Sequence, residues 1–203
     1  CKNNKNELAK KYFLKAKAKN SKTILENYLI NSLYNWSDLK GKNIEVSLSD
    51  LQKLDERFSN LKKIQDTFLY SFFGHNNAEK YFNELTSDQK TDFSRYNYFY
   101  AKYLHSRGKV QEAKKILNSS LKKHPRNLLL NQYKLDLENS DNNFSFDFKN
   151  ETHIIAEILY IVANAFSSQS IYSVSNFYLN LSKYLNKDFH AFDTLMAENF
   201  YNI

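Results

Sequence analysis

The chain has 203 residues and a mass of 24.0 kDa, with 42% hydrophobic and 16% aromatic residues but only three Gly and one Pro. A strand-rich fold of this length needs a turn every ten residues or so, which so few turn formers cannot supply, so an all-α chain is predicted, long enough to bury a substantial core. One Cys excludes an internal disulfide framework and a multi-cysteine zinc site, and the net charge of +7 resides entirely in residues 1–22, where eight Lys oppose Glu7 and beyond which cations and anions balance.

In chain order, Asn6 to Lys19 carries Ala9, Phe13 and Ala16 at helical spacing, with the lysines at 10, 11, 15, 17 and 19 mostly turned away from that stripe. This predicts a helix with a solvated outer face. Ser21 is the expected N-cap of a second helix whose stripe is Ile24, Leu25, Tyr28, Leu29, Leu33 and Trp36. After the polar turn Asp38 to Gly41, the positions Leu48, Leu51, Leu54 and Phe58 predict a helix starting near Ser47, with Ser47 or Ser49 as its cap. Leu61, Ile64, Phe68, Leu69, Phe72 and Phe73 predict another, closed by Gly74 in the left-handed conformation that a helix end favours. Ala78, Phe82 and Leu85 then repeat the spacing of Ala9, Phe13 and Ala16, and Thr86 with Gln89 has the form of a capping box opening the next helix.

The stretch 94–127 has apolar helical periodicity on both sides of Gly108 and reads as one helix-turn-helix unit. Leu128 to Leu137 predicts a further helix. Residues 138–150, ENSDNNFSFDFKN, are polar with Phe144, Phe146 and Phe148 at alternate positions. A short extended segment is permitted there; a loop pinned by its aromatics is preferred. The chain is accordingly divided into a first helical block over 1–138, a loop over 139–150 and a second block over 151–203. In the second block Ala163, Ser175, Leu179 and Ser182 take the offsets of Ala101, Ala113, Leu117 and Ser120, and His190 to Ile203 opens one more helix with Ala197 in the slot of Ala101.

The spacing of Ala101, Gly108, Ala113, Leu117, Ser120, Leu121 and Pro125 resembles the tetratricopeptide repeat, a helical hairpin of about 34 residues whose small residues let two helices approach. FYLNLSKYLNKDF, residues 177–189, is similar to the second helix and exit turn of bacterial members. Asn97 stands in the slot of the signature Trp, Leu104 in that of a Tyr, and Lys187 in that of the closing Pro. The resemblance implies an α-α superhelix, a right-handed solenoid of about five antiparallel hairpins. The stretch around residues 38–60 is a degenerate unit of uncertain register. Both ends fall mid-repeat, so a piece of a longer array is expected.

The same resemblance implies a partner-binding groove lined by the first helix of each hairpin. Carried onto this chain, its lining positions are Leu25, Tyr28, Ser32 and Asn35; Arg95, Tyr98, Lys102 and His105; and Glu157, Tyr160, Asn164 and Ser167. Tyr28, Tyr98 and Tyr160 share one slot, where Tyr offers contact area at low entropy cost; the alternative is that they pack between helices. The groove reading expects Tyr98→Ala to weaken partner binding while leaving the helices intact. Family members that clamp a C-terminal carboxylate carry Lys in the slot of these tyrosines, so such a clamp is not expected.

No chemistry-bearing motif is present. The five His (75, 105, 124, 153, 190) show no metal-ligand spacing, and no phosphate-binding loop, nucleophile elbow or CxxC occurs. A non-catalytic scaffold binding a protein or peptide, without metal or cofactor, is the expected function. Binding of nucleic acid or an anionic membrane through the Lys-rich N-terminal helix is the first alternative, and a non-catalytic part of a larger enzyme or assembly the second. Cytoplasm and periplasm both remain open as compartments, and Cys1 is a candidate lipid-attachment point because a mature bacterial lipoprotein begins with such a residue.

Overall fold

A computed structural model describes residues 6–19, 23–39, 41–87, 94–139 and 145–202. Among the described residues there are eleven α-helices, one 3-10 turn and no strand, so the all-α expectation holds. The helices are α1 (Asn6–Lys17), α2 (Ile24–Ser37), α3 (Ile44–Gln52), α4 (Ser59–Phe73), α5 (Ala78–Ser87), α6 (Tyr96–Ser106), α7 (Val110–Lys123), α8 (Leu128–Glu138), α9 (Glu151–Ser167), α10 (Tyr172–Leu185) and α11 (Ala191–Tyr201). The 3-10 turn is Glu56–Phe58. Helix packing is consistent with an α-α superhelix. Among the described residues no helix is long and apolar enough to cross a membrane.

The chain forms two compact units, Asn60–Asn143 and the combination of Cys1–Ser59 with Phe144–Ile203, whereas the sequence reading divides it at 139–150. In the contiguous unit, α6 packs on α5, α7 and α8, and α7 on α8, so α6 touches both its hairpin partner and the helices on either side. Ala101 and Ala113, the small residues of α6 and α7, are fully buried. Around them lies an aromatic core: the Phe99 ring sits 5.2 Å from Phe68, 5.6 Å from Tyr96 and 5.1 Å from Tyr98. In the discontinuous unit, α1 packs on α2, α9 on α10, and α10 on α11, again with small residues, Ala163, Ser175 and Ser182, fully buried. There α2 also packs on α9, its distant counterpart in sequence.

Helix starts differ from expectation where a polar side chain has two uses. Thr23, whose hydroxyl accepts from the Glu26 amide at 3.1 Å, caps α2, while Ser21 lies outside the described residues. Helix α3 begins earlier than expected, because Asn43 accepts from the Val46 amide at 3.0 Å. Ser47 is a buried small residue instead, its carbonyl accepting from Asn35 Nδ2 at 3.1 Å. The helix predicted to run through Phe58 ends at Gln52 and resumes as the 3-10 turn, which Asp55 opens by accepting from the Arg57 amide. Thr86 opens no helix: it lies inside α5, its hydroxyl donating to the Phe82 carbonyl at 2.9 Å, and Gln89 lies outside the described residues. Residues 145–150 are a loop, with Phe146 and Phe148 buried and the Ser145 carbonyl held by Asn186 Nδ2 at 2.8 Å. Phe144 is outside the described residues, as are Cys1, Lys2, Lys5, Lys22 and Ile203.

Three hairpin turns share one geometry. After α4, α6 and α9 a residue takes positive φ, at Gly74 (67°), Gly108 (77°) and Ser170 (60°). In each case the next amide, of His75, Lys109 or Ile171, donates at 2.9 Å to a carbonyl five residues back, of Tyr70, Leu104 or Phe166. Gly reaches this conformation freely, whereas Ser170 meets a Cβ clash worth about 1–2 kcal/mol. Ser170→Gly is therefore expected to stabilise the chain by a few tenths of a kcal/mol, the relief of strain being partly offset by the greater unfolded-state entropy of Gly. Gly108→Ala, where a Cβ meets no atom within 4 Å and only φ opposes it, is expected to destabilise by about 1 kcal/mol. Urea-denaturation midpoints of the two variants test both signs.

Candidate functional site

One face of the contiguous unit gathers a whole set of the sequence-derived positions. Arg95 precedes α6, and Tyr98, Lys102 and His105 follow one helical turn apart, so all four project on one side of the helix. That side faces Tyr133 of α8, which is itself buried. Tyr98 meets the Tyr133 ring edge-on at 5.0 Å, Lys102 Nζ lies 5.3 Å from its centroid, and His105 Nδ1 lies 3.1 Å from its hydroxyl. The Arg95 guanidinium stands over the Phe99 ring at 5.7 Å. Next to Tyr133, buried Asp136 accepts from Gln132 Nε2 at 2.7 Å.

Electrostatics fix the protonation of this cluster. Burial first, then the neighbouring Tyr98 and Asp136, pushes the Tyr133 hydroxyl well above the ordinary phenol range. It therefore keeps its proton, and its hydroxyl shares a hydrogen bond with His105 Nδ1. Burial, reinforced by the Lys102 charge, holds the imidazole below its ordinary range and so favours the neutral form. The result is a fixed aromatic platform with Arg95, Lys102 and His105 each half-buried around it.

The other candidate positions serve packing more than recognition. Tyr28 is 2% exposed and stacks on Phe58 at 4.4 Å, and Ser32 and Asn35 beside it are buried too. Tyr98 is likewise 2% exposed. Tyr160 is half-buried with its ring 5.6 Å from Phe192. At Tyr98 and Tyr28 the shared slot is thus a packing position, covered by Tyr133 of α8 in one case and by Phe58 of the 3-10 turn in the other. On α9, Glu157 is fully buried and Asn164 is exposed, while Ser167 donates to Asn199 Oδ1 at 2.6 Å. The Asn199 amide in turn donates to Ser175 Oγ and Asn176 Oδ1, both at 2.8 Å, tying α9, α10 and α11 together. Leu25 is half-buried in α2.

Sequence reasoning did not single out Tyr133, although the stripe Leu130, Tyr133, Leu137 marks it as inward-facing on α8. Nor did it single out Asp66 of α4, whose Oδ1 is buried and has no hydrogen-bond partner among the described residues. Burial raises the Asp66 carboxyl to about 6, against the opposing pull of Lys62 one turn earlier. Among the described residues no group of three His, Cys, Asp or Glu could hold a metal ion.

Comparison of the chain with family models, curated proteins and solved structures gives no match.

Two measurements follow from these placements. Tyr98→Ala is expected to cost about 3 kcal/mol of stability through lost packing, and Lys102→Ala less than about 1 kcal/mol, both read from urea denaturation. Asp66 has its folded pKa raised above the unfolded value, so its contribution to stability is present below the unfolded pKa near 3.8 and lost as pH rises through about 6. Asp66→Asn should accordingly stabilise at pH near 7.5 by on the order of 1–2 kcal/mol, allowing for partial solvent screening, with the gain shrinking toward zero near pH 4. Denaturation midpoints of both proteins across that pH window check the sign.

Proposed function

We propose that this chain is a tetratricopeptide-like helical-repeat scaffold that catalyses nothing itself and binds a protein or peptide partner on the α6/α8 face. The observation that carries this reading is that Lys102 and His105 converge on the buried Tyr133 ring while Arg95, on the same side of α6, stands over Phe99 beside it. A Lys ammonium held against a ring and an imidazole held by a hydroxyl have already lost much of their rotamer freedom, so less entropy is lost when a partner arrives. Their half-buried heads suit an acidic side chain or the carbonyls of an extended peptide.

Support comes from the order of packing as well. In a run of hairpins, first helices lie side by side, as α6 and α8 do, and present one continuous face to a partner. Tyr98 then acts beneath that face and not in it: its burial holds α6 against α8 and so sets the spacing of the cations.

The test is selection from a displayed random-peptide library on the full chain, followed by affinity measurement of the selected peptides. Peptides carrying acidic residues are expected, losing about tenfold or more on Lys102→Glu, with Lys115→Glu, on the exposed outer side of α7, leaving affinity unchanged. Equal loss in both variants would replace specific recognition at this face by general charge attraction.

A further inference from the structure

The net charge of the chain sits in its first 22 residues, and the structure shows how the described part of that segment is presented. Two of the lysines of α1 lie on the side next to α2, Lys10 half-buried and Lys17 exposed. Lys10 pairs with Asp38, and Lys17 Nζ lies 5.3 Å above the Tyr34 ring. With α1 packed on α2 this fixes which side of the helix faces out. On that outward side Leu8, Lys11, Tyr12 and Lys15 follow at three- and four-residue spacing, with Lys19 just past the helix end and Leu14 on the adjoining row.

This outer face is not the purely polar one that solvation alone would favour. Leu8 is 47% exposed, Tyr12 62% and Leu14 45%, interleaved with the exposed Lys11, Lys15 and Lys19. Lys15 Nζ lies 5.8 Å from the Tyr12 ring, so cation and aromatic form one patch. Lys11 and Lys19 make no ion pair among the described residues. We propose that the outward face of α1 is a docking surface for an anionic lipid bilayer. Two properties point to a bilayer and not to nucleic acid. A duplex phosphate backbone rewards the cations alone and a single strand rewards Tyr12 besides, whereas the headgroup zone of a membrane rewards the cations, through its negative surface potential, and the apolar Leu8 and Leu14 as well. Tyr12 also has the amphipathic ring suited to that depth, and Lys stems can reach up to the headgroups from beside it. The proposal is independent of the α6/α8 face.

The experiment is co-sedimentation of the full chain with vesicles of phosphatidylcholine alone and of phosphatidylcholine mixed with phosphatidylserine, at low and at high salt. Binding is expected on the mixed vesicles at low salt, weakened at high salt. At about fivefold per cation near the surface, the triple substitution Lys11→Gln, Lys15→Gln, Lys19→Gln should reduce partitioning on the order of a hundredfold. Leu8→Ser with Tyr12→Ser should reduce it several-fold with the charge unchanged. Circular dichroism confirms that each variant keeps its helices. Equal binding to both vesicle types would overturn the proposal, as would equal loss when Lys115, Lys122 and Lys123, exposed on α7, are changed to Gln instead. So would undiminished vesicle binding by the Leu8, Tyr12 variant, or binding of a DNA duplex in preference to the mixed vesicles.

Discussion

Two helices can approach only as closely as the side chains between them allow, and nearly everything in this fold follows from where that distance is small. Ala101 with Ala113, and Ala163 with Ser175 and Ser182, are fully buried. At such positions the backbone of one helix comes near the other, and the larger residues on either side interlock. Ser47 does the same on α3, close enough that its carbonyl takes a hydrogen bond from Asn35. Where the small residue sits decides which face of each helix is inside. That choice in turn decides which of the many aromatic residues become core and which are left to solvent.

This constraint was legible in the sequence because it is written in residue type and spacing together. The offsets of Ala101, Ala113, Leu117 and Ser120, and their recurrence at Ala163, Ser175, Leu179 and Ser182, located two hairpins with their inward faces. Gly74 and Gly108 marked the turns because only Gly enters the left-handed region without strain. Ser170 was not legible as the third such turn: nothing in its chemistry asks for positive φ, and only its fit between α9 and α10 imposes it. Helix starts were misread for a similar reason. Ser47 and Thr86 have the side chains of caps, yet both spend their hydroxyls inside a helix, on the carbonyls of Asn43 and Phe82. At Ser47 local propensity yields because α2 packs against that position, where a small residue is needed more than a cap.

The candidate face was half legible. Arg95, Lys102 and His105 were placed by their register, but the register alone could not say which positions a neighbouring helix covers. Tyr98 and Tyr28 share a slot that would be open in a groove and is closed here, by Tyr133 in one case and Phe58 in the other. Burial then gives the cluster its character: the same desolvation that keeps Tyr133 protonated keeps His105 neutral, so that Lys102 and Arg95 carry the local positive charge. A sequence pattern carries no information on desolvation until the packing partner of each helix is known.

The pairing of α2 with α9 bears on how the chain is made. Within the unit of residues 60–143 the described helices pack on near neighbours in sequence, while the other unit joins the first 59 residues to the last 60. During synthesis the earliest helices emerge long before the segment that covers them exists, and the middle unit can complete itself in the meantime. Nascent α2 must therefore wait for α9, and the face that α9 covers stays open to proteases and wrong partners for at least the time taken to translate residues 37 to 151.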